Sequence, residues 1–82
     1  MMHEEHKINA IKIHVGQLVR TWRKRENLSQ EDLAIKLDLS RLTIQNLEAG
    51  KNTTIETLLS IFGYFNALDQ FDEFVLSLTR TE

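Results

Sequence analysis

Leu28-Ser29-Gln30-Glu31-Asp32-Leu33-Ala34-Ile35-Lys36-Leu37-Asp38-Leu39-Ser40-Arg41-Leu42-Thr43-Ile44-Gln45-Asn46-Leu47-Glu48-Ala49-Gly50 is the stretch that decides the fold. It divides into a short helix, a three-residue turn and a second short helix. Ser29 opens the first helix, and Asp32 three residues on completes a capping-box spacing, with Asp in place of the better Glu. Leu33, Ala34 and Leu37 face inward. Asp38-Leu39-Ser40 forms the turn: Asp38 bends the chain, and Leu39 plugs the corner. Ser40 caps the second helix, which is predicted to run through Ala49 and stop at Gly50. Its inward residues, Ile44 and Leu47, lie three apart. Helices that cross steeply need a small residue where they touch, and Ala34 supplies it. Arg41, Leu42, Gln45 and Asn46 are left facing outward.

This unit is a helix-turn-helix by its own spacing. The flanks are also helical. Val15, Leu18, Val19 and Trp22 make an apolar stripe, which Ile8 and Ile11 continue backwards. The spacing predicts a helix from near Asn9 to a stop at Asn27, a residue that tolerates a left-handed backbone. A fourth helix is capped by Thr53 or Thr54, with Thr53 to Glu56 fitting a capping box. Its apolar side is Ile55, Leu58, Leu59, Phe62 and Phe65, and Asn66 ends it. A fifth, about Leu68 to Leu78, carries Leu68, Phe71, Phe74, Val75 and Leu78. There is no Pro, and no run of β-branched residues alternates with period two. The expected fold is all-α, a five-helix bundle.

The chain of 82 residues leaves room for one small core. It has no Cys, hence no disulfide and no thiolate metal site. No apolar run approaches the roughly 20 residues that span a bilayer, and Met1 to His6 lacks the order of a signal peptide. A cytoplasmic location is expected, with no membrane partner. The net charge of −2 argues against a polyanion partner until its distribution is considered. Residues 1–51 hold nine Lys and Arg against seven acids, and residues 52–82 hold only Arg80 against five. A basic first half suits a polyanion, with the acidic half turned away.

Other features carry little chemistry. His3 and His6 are three apart but lack further ligands, so no metal is expected. No nucleophile, base and orienting group come together around His14 or elsewhere, and no glycine loop cradles a phosphate. An enzyme, a cofactor and a small-molecule substrate are not expected. Arg20, Arg23, Lys24 and Arg25 suit either a nucleic-acid patch or a solvated helix face. Trp22 has the spacing of a core residue.

Leu28 to Ala34, Leu39-Ser40, Thr43 to Lys51 and Thr54 to Leu58 together resemble the lambdoid phage repressor and Cro (XRE-like) family of helix-turn-helix regulators, over residues 15–66. Asp38 and Asn27 depart from it, standing where Gly is usual; both tolerate a left-handed backbone. The resemblance implies the lambda-repressor-like fold and a recognition helix, Arg41–Ala49, lying in the major groove of double-stranded DNA. It implies base contacts by Arg41, Leu42, Gln45 and Asn46, with Gln45 placed to reach either a base or a phosphate. Arg41 suits a guanine edge, Asn46 an adenine and Leu42 a thymine methyl. It implies phosphate contacts by Gln30, Ser40, Thr43, Lys51, Asn52 and Arg20. Arg23 and Glu48 match a structural ion pair.

Three stretches are expected on this basis. Residues 1–13 are an N-terminal extension, partly flexible or early helix. Residues 14–66 are the DNA-binding domain. Residues 67–82 hold a C-terminal helix like that of dimeric antitoxin-like members. Leu68, Phe71, Phe74, Val75 and Leu78 there exceed what a small core needs, so Phe71, Phe74, Val75 and Leu78 are expected in a homodimer interface. The expected function is a dimeric sequence-specific transcriptional regulator, a repressor or autoregulator. The alternative is an antitoxin that grips a toxin protein and binds its own operator.

Overall fold

The computed structural model describes residues 2–80, with side chains from Glu4 onward. Five helices follow in order: α1 Met2–Arg25, α2 Gln30–Leu37, α3 Arg41–Glu48, α4 Ile55–Tyr64 and α5 Leu68–Thr79. No strand occurs among the described residues. The expected C-terminal stretch 67–82 includes Thr81 and Glu82, which lie outside the described residues, as do Met1 and the side chain of His3.

Each short helix is bounded by local chemistry. At α2, Ser29 Oγ accepts from Asp32 N at 2.9 Å and Asp32 Oδ2 accepts from Ser29 N at 2.9 Å, closing the capping box. The bond from Ser29 N, with the Ser29 hydroxyl as a second donor, holds the Asp32 carboxyl below its ordinary range. At α3, Ser40 Oγ accepts from Thr43 N at 3.1 Å. The corners turn on left-handed residues: Asn27 at φ 58°, Asp38 at 57°, Asn66 at 61° and Gly50 at 78°. Asp38 does what the turn needs without glycine, and Leu39 N then donates to Ala34 O at 2.8 Å.

The centre is small. Val19, Leu33, Ala34, Ile44, Leu47 and Ile61 form the buried cluster, and Leu28, Leu37, Leu39 and Leu58 pack against it. Trp22 sits over this core, its ring 5.2 Å from Phe62 and 5.3 Å from Phe65. Phe62 meets Phe71 at 5.5 Å, which ties α5 to the body.

The structure corrects several expectations. α1 begins at Met2, not near Asn9. No Gly or Pro interrupts the segment before Gly16, and Glu4 and Glu5 in the first turn suit the positive end of the helix dipole. On α1 the buried row is Gly16, Val19 and Arg23, while Leu18 is 38% exposed. α3 ends at Glu48, with Ala49 as its C-cap. At α4 the cap is Thr54, whose Oγ1 accepts from Thr57 N at 3.1 Å, so the Thr53–Glu56 box does not form. Ile55 is 66% exposed, and Ile61, absent from the expected apolar side, is fully buried. Both faces of α4 are apolar: one row packs on the core, and the Ile55–Leu59 row faces α5.

Gly16 explains how close α1 and α3 come. A Cβ there would lie 2.6 Å from Glu48 O and 2.7 Å from Leu47 O. Both are backbone atoms, so one helix would have to move. At an unconstrained helix interior, Gly to Ala gains roughly 0.5–1 kcal/mol. Gly16→Ala is expected instead to destabilise by about 1–3 kcal/mol through overpacking. Urea denaturation measures it, and a stabilised variant contradicts the close crossing.

Candidate nucleic-acid interface

The α2–turn–α3 unit is anchored from below by one buried cluster. Arg23 on α1 donates from Nε to Glu48 Oε2 at 2.7 Å and from Nη2 to Glu48 Oε1 at 2.9 Å. Its remaining nitrogen, Nη1, donates to Leu28 O at 2.7 Å. Gln30 Nε2 donates to Glu48 Oε1 at 3.0 Å. Three helices and the α1–α2 corner therefore meet on one guanidinium and one carboxylate, whose side chains are only 8% and 4% exposed. The planar fork of arginine fits the carboxylate twice, which lysine does not.

Burial is the largest influence on Glu48 and works to raise its carboxyl. The bonds from Arg23 and Gln30, with the nearby charges of Arg23 and Arg20, outweigh it and hold the group below the ordinary carboxylate range. Arg23 is raised, chiefly by its bond to Glu48.

Above this anchor α3 presents its outer side. Arg41, Leu42 and Gln45 are exposed and Asn46 is half-buried. Leu42 leaves 61% of its surface in solvent. Glu48 is the sole acid on α3, and it is turned inward, so the exposed side of α3 carries no negative charge. The residues matched to phosphate contacts are distributed around α3. Ser40 Oγ is engaged with Thr43 Oγ1 at 2.8 Å. Lys51 and Asn52 are exposed in the loop after α3, and Asn52 Oδ1 accepts from Lys12 Nζ. Arg20 is exposed on α1. Gln30 is the exception in character, because its amide nitrogen is committed to Glu48.

Sequence reasoning missed three contributors. Lys12 braces the Lys51–Asn52 loop from α1, forty positions away. Gly16 permits the approach of α3, and its close contact with α3 had no signal beyond the scarcity of glycine. Leu28 O as an acceptor for Arg23 is a backbone role and leaves no trace in residue type.

A short capped helix, a left-handed corner and a second short helix with an exposed acid-free side define a helix-turn-helix protein. The helix-turn-helix family model matches residues 19–69, more than half of the chain, and the chain belongs to that family. It is the Cro/C1-type group that the sequence resembles. Over 51 residues it is 41% identical to a protein of Methanoregula boonei named as an HTH-type transcriptional regulatory protein. That stretch is 62% of this chain and 16% of the relative. Over 46 residues it is 41% identical to a protein of the same name from Methanocella arvoryzae, covering 56% of this chain and 14% of the relative. The chain thus spans only a small part of the length of these relatives. No solved structure gives a significant match.

The anchor makes stability pH-dependent. Glu48 has a folded value below its ordinary 4.5. The stability it contributes is therefore complete above pH 4.5 and is lost as pH falls through the lower folded value. Glu48→Gln is expected to flatten that acid limb, leaving the share due to Asp32. Arg23→Ala, which strands a buried carboxylate, is expected to cost about 3–5 kcal/mol. Urea titrations from pH 7 to pH 2 measure both. An unchanged acid limb in Glu48→Gln contradicts the assignment.

Proposed function

We propose that this chain binds double-stranded DNA in a sequence-specific way, as the DNA-reading part of a transcriptional repressor or autoregulator. The observation that carries the reading is the outer side of α3: it is polar apart from Leu42, free of exposed acids, and fixed in rotation by the Arg23–Glu48 pair. In this reading α3 lies in the major groove. Arg41 and Asn46 make paired hydrogen bonds to base edges, Gln45 reaches a base or a nearby phosphate, and Leu42 meets a thymine methyl. Its exposure is otherwise a cost in water, so a partner methyl gives it a use.

Ser40, Thr43, Lys51, Asn52 and Arg20 then fix the backbone. Gln30 keeps its bond to Glu48 and offers its other amide hydrogen to a phosphate at the start of α2, where the helix dipole favours an anion. The Lys12–Asn52 bond keeps Lys51 in register. Residues 14–66 form the DNA-binding part in this scheme, and residues 67–82 provide the helix that joins two copies.

The dimer is part of the same proposal. Phe74 and Val75 on α5 are exposed, and no residue of α5 is buried. A second copy covering Phe71, Phe74, Val75 and Leu78 would remove that surface from water, and two copies of α3 would then address two half-sites.

Selection from a random DNA pool gives the half-site, and binding at several salt concentrations gives the electrostatic share. Arg41→Ala and Asn46→Ala are each expected to cost about 1–3 kcal/mol on the selected site and to relax preference at one base pair. Lys51→Ala is expected to weaken all sequences alike and to shallow the salt slope by about one unit. If Arg41→Ala weakens every sequence equally, α3 is not placed as described. Phe74→Asp is expected to yield a monomer by sedimentation and to weaken binding to a two-half-site operator; an unchanged mass contradicts the role of α5.

A further inference from the structure

Two apolar surfaces lie uncovered, on opposite ends of the chain. The first is the outer half of α1. Ile8, Ile11, Val15, Leu18 and Trp22 recur at spacings of three and four, the seam of a helix that packs along another helix; Ile11 and Val15 also border a pocket with Leu47 and Leu58 of the same chain, so the uncovered part is centred on Ile8 and Ile11. Trp22 at one end of this row packs on Phe62 and Phe65. Ile8 and Ile11 at the other end are 55% and 51% exposed. The second is a groove of about 480 Å3 between α4 and α5. Ile55, Leu59, Leu68, Phe71 and Val75 line it, together with the carboxylates Asp69 and Asp72.

Their charges are opposite. From Lys7 to Arg25, α1 carries six Lys and Arg and no acid. From residue 52 to residue 79 the chain carries Glu56, Asp69, Asp72 and Glu73 and no Lys or Arg. At 3.6 residues per turn, Lys7 and Lys12 fall on the two flanks of the Ile8–Ile11 stripe. Glu4 and Glu5 lie in the first turn, outside that basic stretch. An apolar stripe between two lysines thus matches an apolar groove that holds two aspartates.

We propose that the outer half of α1 from a second copy of this chain occupies the α4–α5 groove. The exchange is reciprocal, so a two-fold dimer contains the contact twice. This inference rests on the dimer described above and supplies the surface opposite α5. Lys7 approaches Asp69 and Asp72 of the partner copy, which steers the helices into register and disfavours a groove-to-groove encounter of like charge.

The test needs no DNA, so its failure is separate from failure of the DNA-binding reading. One variant carries Lys7→Glu and Lys12→Glu, the other Asp69→Lys and Asp72→Lys. Because Lys12 also bonds Asn52, Lys7→Glu alone is run in parallel. Dimer mass is measured by sedimentation equilibrium at low salt, with circular dichroism to confirm that each chain is folded. Each variant alone is expected to dissociate about tenfold more readily than the unaltered chain. Mixed in equal amounts, the two double variants are expected to form a heterodimer, since both reciprocal contacts then pair opposite charges. A second measurement leaves these charges in place. The chain has no cysteine, so copies with Ile8→Cys and copies with Val75→Cys are mixed and oxidised, and a covalent 8–75 heterodimer is expected. A native dimer whose charge variants keep full affinity, or that gives no 8–75 product, overturns this use of α1 and leaves an α5-mediated dimer standing. A monomeric native chain overturns both.

Discussion

The Arg23–Glu48 pair is the constraint on which the rest of the structure depends. Four hydrogen bonds converge on it, from or to α1, the α1–α2 corner, α2 and α3. A buried ion pair is not in itself a strong source of stability, because desolvation opposes the attraction. What it supplies here is geometry. A fork-shaped donor and a two-oxygen acceptor fit in one orientation, and that orientation fixes the end of α3 against α1. Apolar contacts at Ile44 and Leu47 would tolerate a small rotation of α3. The two bonds to Glu48 do not. Glu48 lies seven positions from Arg41, on nearly the same flank of α3, so the bonds that fix Glu48 also fix the rotation at which Arg41, Leu42 and Gln45 stand exposed.

The corners complete that geometry by a different means. α2 and α3 have eight residues each, too short to persist alone in water. They exist because both ends are chemically closed and one side of each is buried. Asp38 is instructive. It adopts φ 57° and ψ 43°, a conformation that costs an ordinary side chain about 1–2 kcal/mol. Asp bears this better than most residues, and the return is the Leu39-to-Ala34 hydrogen bond and a leucine set into the corner.

Legibility in the sequence followed the range of the interaction. The Ser29 box, the Ser40 cap and the turns at Asn27, Asp38 and Asn66 involve neighbours within five residues, and residue type is enough to place them. The pairing of Arg23 with Glu48 spans 25 positions; periodicity does not reveal it, and the family resemblance was needed to suggest it. In α4 apolar residues occur on both sides. Periodicity then predicts a helix but not its rotation: Ile55, expected inward, is exposed, and Ile61, outside the expected apolar side, is buried. The start of α1 was missed for a related reason: helix propensity and favourable terminal charge extend it past the point where apolar periodicity fades. On the outer side of α3 residue type marks Arg41, Gln45 and Asn46 as polar positions and Leu42 as an apolar one. Which base each meets is a property of the complex, not of the free chain.

The distribution of the core suggests why the parts of the chain depend on one another. Six residues make up the buried cluster, drawn from α1 to α4, and none comes from α5. A domain this small buries only about 60% of the surface its unfolded chain exposes, and its stability is marginal. α5 touches the body through the Phe62–Phe71 ring contact while several of its apolar side chains remain in water. Any partner that covers those side chains binds the folded chain and not the unfolded one, so it adds to stability by mass action. The same ring series leads from Phe71 through Phe62 to Trp22, one residue before Arg23. A contact at α5 thus bears, through packed aromatic rings, on the helix that carries the anchor of α3. The apolar surface of α5 and the outer side of α3 thus belong to one packed unit, even though they lie on different faces.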